Sequence, residues 1–521
     1  MRQDKLQFKG FNSILRERAE KHGGKVYIES PDQSKNITYE QTYAWCNRIA
    51  NFLKERSVKS DDKITIIGPN SIETLLIFLG VLNYGAIISP INVEESEENF
   101  RRLVGVTNPK IVFYSQELAF NPGKYTDGLG ISYSNFDVDS EQENELFSTL
   151  KSYSPVFESP LGGKDDIAEV VFTSGTTEMP KGVVMTRESL FFQTLEPVER
   201  LVITDQDVIL DYRSYNWASP QELSILSSLM TGATLVFPRK FSRTRFPSWL
   251  KDYKVTIAAG VPTVFNFLLE EKVPLHKKDV PALRFMTSSS SGLPPKKQLE
   301  FEEKYGILVN QAAGMSEAGW LAINDPEELK HPERRKIGSI GKALPRKEVL
   351  IFDDDGNRCK AGEIGEIVIR GKATALGYLQ PNGEINRLLP EGEIHTGDFG
   401  YIDSDGYVYI TGRKKDLIIR GGVNISPLEV TDWLLQHPDV QEAATIGIPD
   451  EIRGEEVASF IVPKTGHKID QETIVNHCKK KLPDFKLPKT VDILKEIPKT
   501  ERQKVSKAEL LKIWEKLHKK N

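Results

Sequence analysis

The sequence predicts an α/β protein: a large N-terminal body of packed α/β subdomains, a small β-rich unit, and a smaller α+β C-terminal unit. Three observations carry this. Up to about residue 420, short β-branched runs alternate with stretches of helical periodicity. Between Gly338 and Ile410 the punctuation changes to Asp-Gly and Gly turns (Asp355-Gly356, Gly362, Gly365, Asp405-Gly406). After Gly412 the chain passes through Arg413-Lys414-Lys415-Asp416 into a stretch that alternates helices with short strands.

Taken in order, Ile64 to Ile67 reads as a strand, Ser71 to Tyr84 as a helix and Ala86 to Pro90 as the next strand. The apolar run Leu75 to Leu82 stops at Asn83-Tyr84-Gly85, far short of the ~20 residues of a membrane span, so it reads as a buried core helix. Ile111 to Tyr114, Ala168 to Thr173 and Ala233 to Phe237 read as further strands, the last preceded by a helix over Gln221 to Met230. The β-rich unit covers about 338–411, and the domain boundary is drawn between 413 and 414, giving 1–413 and 414–521. Ser426-Pro427-Leu428-Glu429 carries a cap Ser, a first-turn Pro and a third-position Glu, so Leu428 to His437 is expected as a helix opened by a capping box. Ser506 to Asn521 reads as a Lys-rich amphipathic helix.

Composition narrows the function classes. The 521 residues, 39% hydrophobic and 27% charged, are those of a globular chain, and a net charge of -5 argues against a nucleic-acid partner bound through a general basic field. Cys46, Cys359 and Cys478 are scattered, with neither a disulfide framework nor metal-ligand spacing. They fit a reducing, cytoplasmic setting. Met1 to Lys9 is charged without an apolar core, so no secretory leader is expected.

The chemistry concentrates in Thr173-Ser174-Gly175-Thr176-Thr177-Glu178-Met179-Pro180-Lys181-Gly182, which follows the apolar strand Ala168 to Phe172. Hydroxyls, free backbone N–H groups and one Lys at a strand end can cradle phosphates, because Gly permits close approach, Ser and Thr donate, and Lys supplies a point charge. No Gly-Lys-Ser/Thr closes the loop, so it is not a Walker A loop. Further motifs follow: Gly314-Met315-Ser316-Glu317, Gly362-Glu363-Ile364-Gly365-Glu366, His395-Thr396-Gly397-Asp398, Gly412-Arg413-Lys414-Lys415-Asp416, and Pro498-Lys499-Thr500 before Lys504.

With these motifs in this order, the chain resembles the acyl-adenylating (AMP-binding) superfamily, in its acyl-CoA synthetase or acid–CoA ligase branch, from about Phe11 to Leu510. The resemblance implies a mobile C-terminal lid domain and a two-step reaction. A carboxylate attacks the α-phosphate of ATP to give an acyl-adenylate and pyrophosphate, and the thiol of coenzyme A then takes the acyl group. It implies Lys504 as the catalytic cation between carboxylate and α-phosphate, and Glu317 as the ligand of Mg²⁺. Thr173, Ser174, Gly175, Thr176, Thr177, Lys181 and Ser316 are implied to bind phosphate. Ser290, Ser291, Gly292, Gln311, Ala312 and Ala313 are implied to border the adenine, with Asp398 and Arg413 on the ribose. Tyr215, Trp217, Ser219, Gly260, Val261 and Gly314 are implied to line the acyl pocket, Lys415 to be the hinge, and Gly422 to border the tunnel for coenzyme A.

The sequence departs from the family pattern at Glu178, Asn216, Ala313 and Gln503, where relatives have Gly, His, Tyr and Gly. No Asp stands where amino-acid adenylating domains anchor an amino group, which favours a plain organic acid, short to medium or aryl. The implied partners are that acid, ATP and coenzyme A, with no nucleic acid and no membrane span, in a monomer or a dimer. Two rival readings are a ligase that loads an acyl carrier protein and a nucleotide-binding homologue that has lost turnover.

Overall fold

A computed structural model of the chain describes residues 7–134, 145–173, 180–270, 273–388, 393–499 and 505–518. Three sheets organise them. In the largest, of 13 strands, Val26–Ser30, Thr234–Val236, Val208–Leu210, Ile257–Ala258, Phe285–Ser288 and Val309–Met315 are neighbours in that order, all paired in parallel. The last of them then changes its mode of pairing. Its first half pairs in parallel (Met286 with Val309, Ser288 with Gln311). Its second half pairs antiparallel with Gly319–Ile323 (Ala312 with Ile323, Met315 with Gly319), across a bulge between Ala313 and Gly314. From that hairpin the sheet continues antiparallel through Gly341–Ala343, Tyr407–Arg413, Glu393–Ile402, Gly365–Gly371 and Lys347–Phe352. The expected β-rich stretch is thus an extension of the body's own sheet.

The second sheet, of eight strands, is parallel over Ile167–Phe172, Ile87–Ile91, Lys63–Ile67, Ile111–Ser115 and Leu129–Tyr133. Gly182–Thr186 returns antiparallel beside Ile167–Phe172, with Phe172 opposite Gly182. Two short strands from the β-rich stretch, Gly377–Leu379 and Ile385–Arg387, cross over to this sheet beside Gly182–Thr186. The third sheet holds five strands between Ile418 and Ile493.

The helices follow local chemistry. Ile72–Tyr84 starts after Ser71, whose side chain accepts from the Thr74 N–H, and every residue of it is buried. It ends at Gly85 with φ at 102°, where a Cβ would lie 2.1 Å from the Leu161 carbonyl oxygen, so only glycine fits the turn. The expected continuous helix over Gln221 to Met230 is a π-helical turn, Gln221–Ile225, running into an α-helix, Leu226–Thr231. Ser426 caps Pro427–Leu435 as expected, but Glu429 pairs with Lys486 at 2.6 Å, so the Ser426 cap lacks its expected reciprocal partner. Lys507–His518 lays Leu510, Leu511, Ile513 and Trp514 against the third sheet. Among the described residues no helix is long and apolar enough to cross a membrane.

Deep in the body lies a polar layer. Gln221 Nε2 donates to Glu169 Oε1 at 2.7 Å and to the Tyr215 carbonyl at 2.9 Å. Lys347 Nζ lies 2.6 Å from Glu196 with both side chains wholly buried, and donates to the Trp320 carbonyl at 2.8 Å. Gln193 Nε2 donates to the Ala373 carbonyl at 2.9 Å. Burial pushes the Glu169 carboxyl up to about 8, and Glu222, equally enclosed, is raised well above the usual carboxylate range by the same cause.

A carboxyl whose folded pKa is raised binds more protons folded than unfolded. Its stabilising effect is therefore full below the unfolded value and lost as pH rises towards about 8. Glu169→Gln keeps an acceptor for Gln221 and removes that proton. Its denaturation midpoint relative to the native chain should therefore rise between pH 6 and 8.5 (~) in urea titrations; a constant difference would show that Glu169 does not titrate there.

Candidate active site

Val309–Met315 and Ile167–Phe172 deliver the two halves of the site. Where the first sheet changes from parallel to antiparallel pairing, Gly314 has room for no side chain: a Cβ would stand 2.8 Å from the Gly319 carbonyl oxygen. The turn after it carries Ser316 and Glu317, both half-buried. On the second sheet the Thr173 N–H donates to the Lys181 carbonyl at 2.9 Å, closing the base of the loop. Ser174, Gly175, Thr176 and Thr177 lie outside the described residues, as does Lys504.

Tyr378 joins the two. It lies on Gly377–Leu379 opposite Val183, and its hydroxyl donates to Glu317 Oε1 at 2.8 Å. Lys181 Nζ stands 5.2 Å from the centre of its ring. Burial and the Glu317 carboxylate both push the phenol well up, so it stays a proton donor. Glu317 Oε2 has no described partner, which leaves one hard oxygen donor beside the loop. Nothing in the sequence singles out Tyr378, which sits 61 residues from Glu317.

The other predicted residues fall as follows. Ser290, Ser291 and Gly292 form an exposed turn with Ser290 at φ 73°, a left-handed conformation that a serine adopts at a cost. Gln311 Oε1 accepts from the Leu293 N–H at 3.2 Å, tying that turn to Val309–Met315. Ala312 is buried, whereas Ala313 is half-buried and packs against two apolar clusters, one that includes Ile340 and Val349 and one that includes Leu321. Asp398 and Arg413 face each other on adjacent strands, Arg413 Nε donating to Asp398 Oδ1 at 2.8 Å. Beneath them Glu366 accepts from the Gly397 N–H at 3.2 Å, with His395 Nδ1 at 3.3 Å and Lys414 Nζ at 3.7 Å.

Trp217 and Val261 are half-buried, and Gly260 is buried. Tyr215 is fully enclosed: its hydroxyl donates to the Ile66 carbonyl at 3.1 Å and its ring joins the body's core, so its side chain presents no open wall. Ser219 accepts from Arg213 Nη1 at 2.6 Å, a partner that sequence reading did not find. Lys415 is exposed on the single turn Lys414–Asp416, which Lys507 holds through Asp416 at 2.9 Å. Gly421 and Gly422 are exposed at φ 57° and 82°, and a Cβ at either would meet nothing within 4 Å.

Residues 15–379 match the family model of the AMP-binding enzymes, and 429–504 that of the AMP-binding enzyme C-terminal domain. The chain belongs to the AMP-binding enzymes. Among its relatives in that family, oxalate–CoA ligase of Arabidopsis thaliana is 33% identical over 482 residues, 91% of this chain and 92% of that one. Sulfoacetate–CoA ligase of Cupriavidus necator is 29% identical over 502 residues, 96% and 97% of the two chains. Among solved structures, ATP-bound MatB of Rhodopseudomonas palustris superposes with a TM-score of 0.88 at 25% identity, covering 98% of this chain and 100% of that one.

Tyr378→Phe keeps the ring under Lys181 and removes one hydrogen bond to a carboxylate, an interaction worth about 1.5–3 kcal/mol. Titration calorimetry should show ATP binding weakened roughly tenfold with Mg²⁺ present and changed far less without it; equal weakening in both would separate Tyr378 from any metal-binding part of Glu317.

Proposed function

We propose that this AMP-binding enzyme is an acid–CoA ligase: it activates a carboxylic acid as its acyl-adenylate, releasing pyrophosphate from ATP, and passes the acyl group to the thiol of coenzyme A. The observation that carries the reading is the Lys181–Tyr378–Glu317 contact, which brings an anion-holding loop and a hard oxygen donor from two sheets into one place. The names of the relatives, CoA ligases across more than nine-tenths of this chain, support the thiol acceptor.

A carboxylate is a poor acyl donor because its oxygen leaves badly, and attack on ATP sets two anions against each other. The barrier falls through positioning and charge neutralisation. In this reading the hydroxyls and N–H groups of 173–177 hold the phosphates with Lys181 and Ser316, and Lys504 stands between carboxylate and α-phosphate. Glu317 would hold Mg²⁺ through one carboxylate oxygen, and the ion supplies charge neutralisation on the phosphates when bound. Asp398, hydrogen-bonded to Arg413, accepts from the ribose hydroxyls. The unit 414–521 turns about Lys415 between the two half-reactions, bringing Gly422 beside the pantetheine arm.

The reading is tested by pyrophosphate release with ATP and Mg²⁺ over a panel of acids, with and without coenzyme A. Release that depends on one acid, with its CoA thioester as product, is expected; silence over the whole panel would overturn the ligase assignment.

Lys504→Ala should cut acyl-adenylate formation at least ~100-fold while sparing thioester formation from supplied acyl-adenylate. Equal loss in both half-reactions would remove Lys504 from the first site. Lys415→Pro should slow the second half-reaction more than the first, as read by single-turnover assays of each; an unchanged ratio would count against the hinge.

A further inference from the structure

Behind Ser219 the chain is polar. Arg213 is only 3% exposed, and its Nε and Nη2 donate to the two carboxylate oxygens of Asp211 at 2.9 and 2.7 Å. Ser224 donates to the same carboxylate at 2.6 Å. The remaining nitrogen, Nη1, donates to Ser219 Oγ at 2.6 Å and to Ser289 Oγ at 3.3 Å. A hydroxyl whose oxygen accepts from a guanidinium has its own proton left to give elsewhere, so Arg213 turns both serines into donors.

Two further observations place these donors against residues assigned to the acyl pocket. The Ser289 N–H donates to the Gly260 carbonyl at 3.3 Å, and a Cβ on Gly260 would stand 2.4 Å from the Thr287 carbonyl oxygen. Thr287, two residues before Ser289 where Phe285–Ser288 ends, is 1% exposed, and its Oγ1 has no hydrogen-bond partner among the described residues. A hydrocarbon tail running past Ser219 would bury these hydroxyls unpaired, whereas an oxygen atom would accept from them. Asp211 cancels the charge of Arg213, so the cluster offers directed donors with no net cation.

We propose that Arg213, Ser219 and Ser289 determine acid specificity, and that the acid carries a second oxygen group at its distal end. This rests on the ligase reading above. Arg213 is a positioning residue in it, acting through the two serines. A pocket built to hydrogen-bond an oxygen rejects the analogue lacking it far more strongly than an apolar pocket rejects a missing methylene.

The test uses the full chain with ATP, Mg²⁺ and coenzyme A, following pyrophosphate and the CoA thioester. Oxygen-ended acids (glycolate, 3-hydroxypropionate, malonate) are set against propionate, butyrate, hexanoate, octanoate and benzoate. The expected result is a kcat/KM for the best oxygen-ended acid at least ~10-fold above that of its alkyl match. Ser219→Ala should cut that value at least ~10-fold and leave the KM for ATP within about twofold. Arg213→Met should do the same where thermal denaturation shows it folded, and Ser219→Ala decides alone where it is not. Thioester formation that prefers an alkyl or plain aryl acid leaves the ligase reading standing and overturns this inference, as does a Ser219→Ala variant that loses acid and ATP parameters alike. No pyrophosphate release from any acid overturns both.

Discussion

One strand sets the terms for the rest of the body. Val309–Met315 pairs in parallel along its first half and antiparallel along its second, and these two modes demand different chains around them. Parallel neighbours need long crossovers, which supply the helices of the body, whereas antiparallel neighbours need only a hairpin, which supplies the β-rich extension. Where the modes meet, the backbone leaves its old partner before it has fully engaged the new one. A bulge at Ala313/Gly314 absorbs the mismatch, and Gly314 is required because the returning strand passes within contact of where its Cβ would be. Crevices at the carboxyl ends of parallel strands, where the pairing order changes, are where α/β sheets bind ligands. Ser316 and Glu317 stand at that point because the hairpin turns there.

The turn is held from behind by groups that are costly to bury. Lys347 reaches the Trp320 carbonyl on the returning strand and is neutralised by Glu196, both without solvent. An ion pair so enclosed gains little net stability, but loss of either partner leaves a bare charge, so the position of the hairpin is sharply defined. Glu169 and Gln221 do the same for the second sheet. Glu169 sits in the strand that ends in the Thr173–Lys181 loop, and Gln221 ties it to the carbonyl of Tyr215, at the start of the segment that carries Trp217 and Ser219. The π-helical turn at Gln221–Ile225 places one residue more than an α-helix would in that stretch, and it buries the polar side chains of Gln221, Glu222 and Ser224 beside Leu223 and Ile225.

The legible parts of this architecture are those written in short stretches of sequence. The alternation of strands and helices, the buried helix ending at Gly85, the glycine-punctuated strands and the loop after Phe172 each depend on neighbours within a dozen residues. The family motifs are equally local, which is why Asp398, Arg413 and Glu317 could be named as candidates before any geometry was known. What stayed hidden is pairing at a distance. Tyr378 finds Glu317, and Lys347 finds Glu196, only through strand order, and no periodicity encodes which sheet Gly377–Leu379 joins. Arg213 and Asp211, two apart in the chain, belong to no motif, and only their burial shows that they satisfy each other. Glu169 interrupts an apolar strand and Gln221 opens what looks like a regular helix, and each is explained by the other. Glu429 has the right spacing to complete a capping box but takes Lys486 instead, since a full opposite charge in reach outbids one backbone N–H.

The rotation proposed for the C-terminal unit would act on polar contacts between the two parts of the chain. Lys296, in the first turn of the helix after the Ser290–Gly292 turn, donates to the carbonyls of Leu435 and His437 at 2.7 and 3.2 Å. A cation there meets the carbonyl end of Pro427–Leu435, where the helix dipole is negative. The contact crosses from the body to the C-terminal unit. By contrast the bond from Lys507 to Asp416 lies within that unit and braces the turn that carries Lys415. In the proposed rotation about Lys415 the Lys296 contact would be exchanged together with those beside the pivot, where Lys414 Nζ lies 3.7 Å from Glu366 and Ser426 Oγ donates to the Thr411 carbonyl. Lys296 is half-buried, and burial lowers the pKa of its ammonium, so releasing it to water recovers much of the solvation it gave up. A contact of that kind holds the C-terminal unit in the orientation seen here, and the rotation proposed above would release it at modest cost.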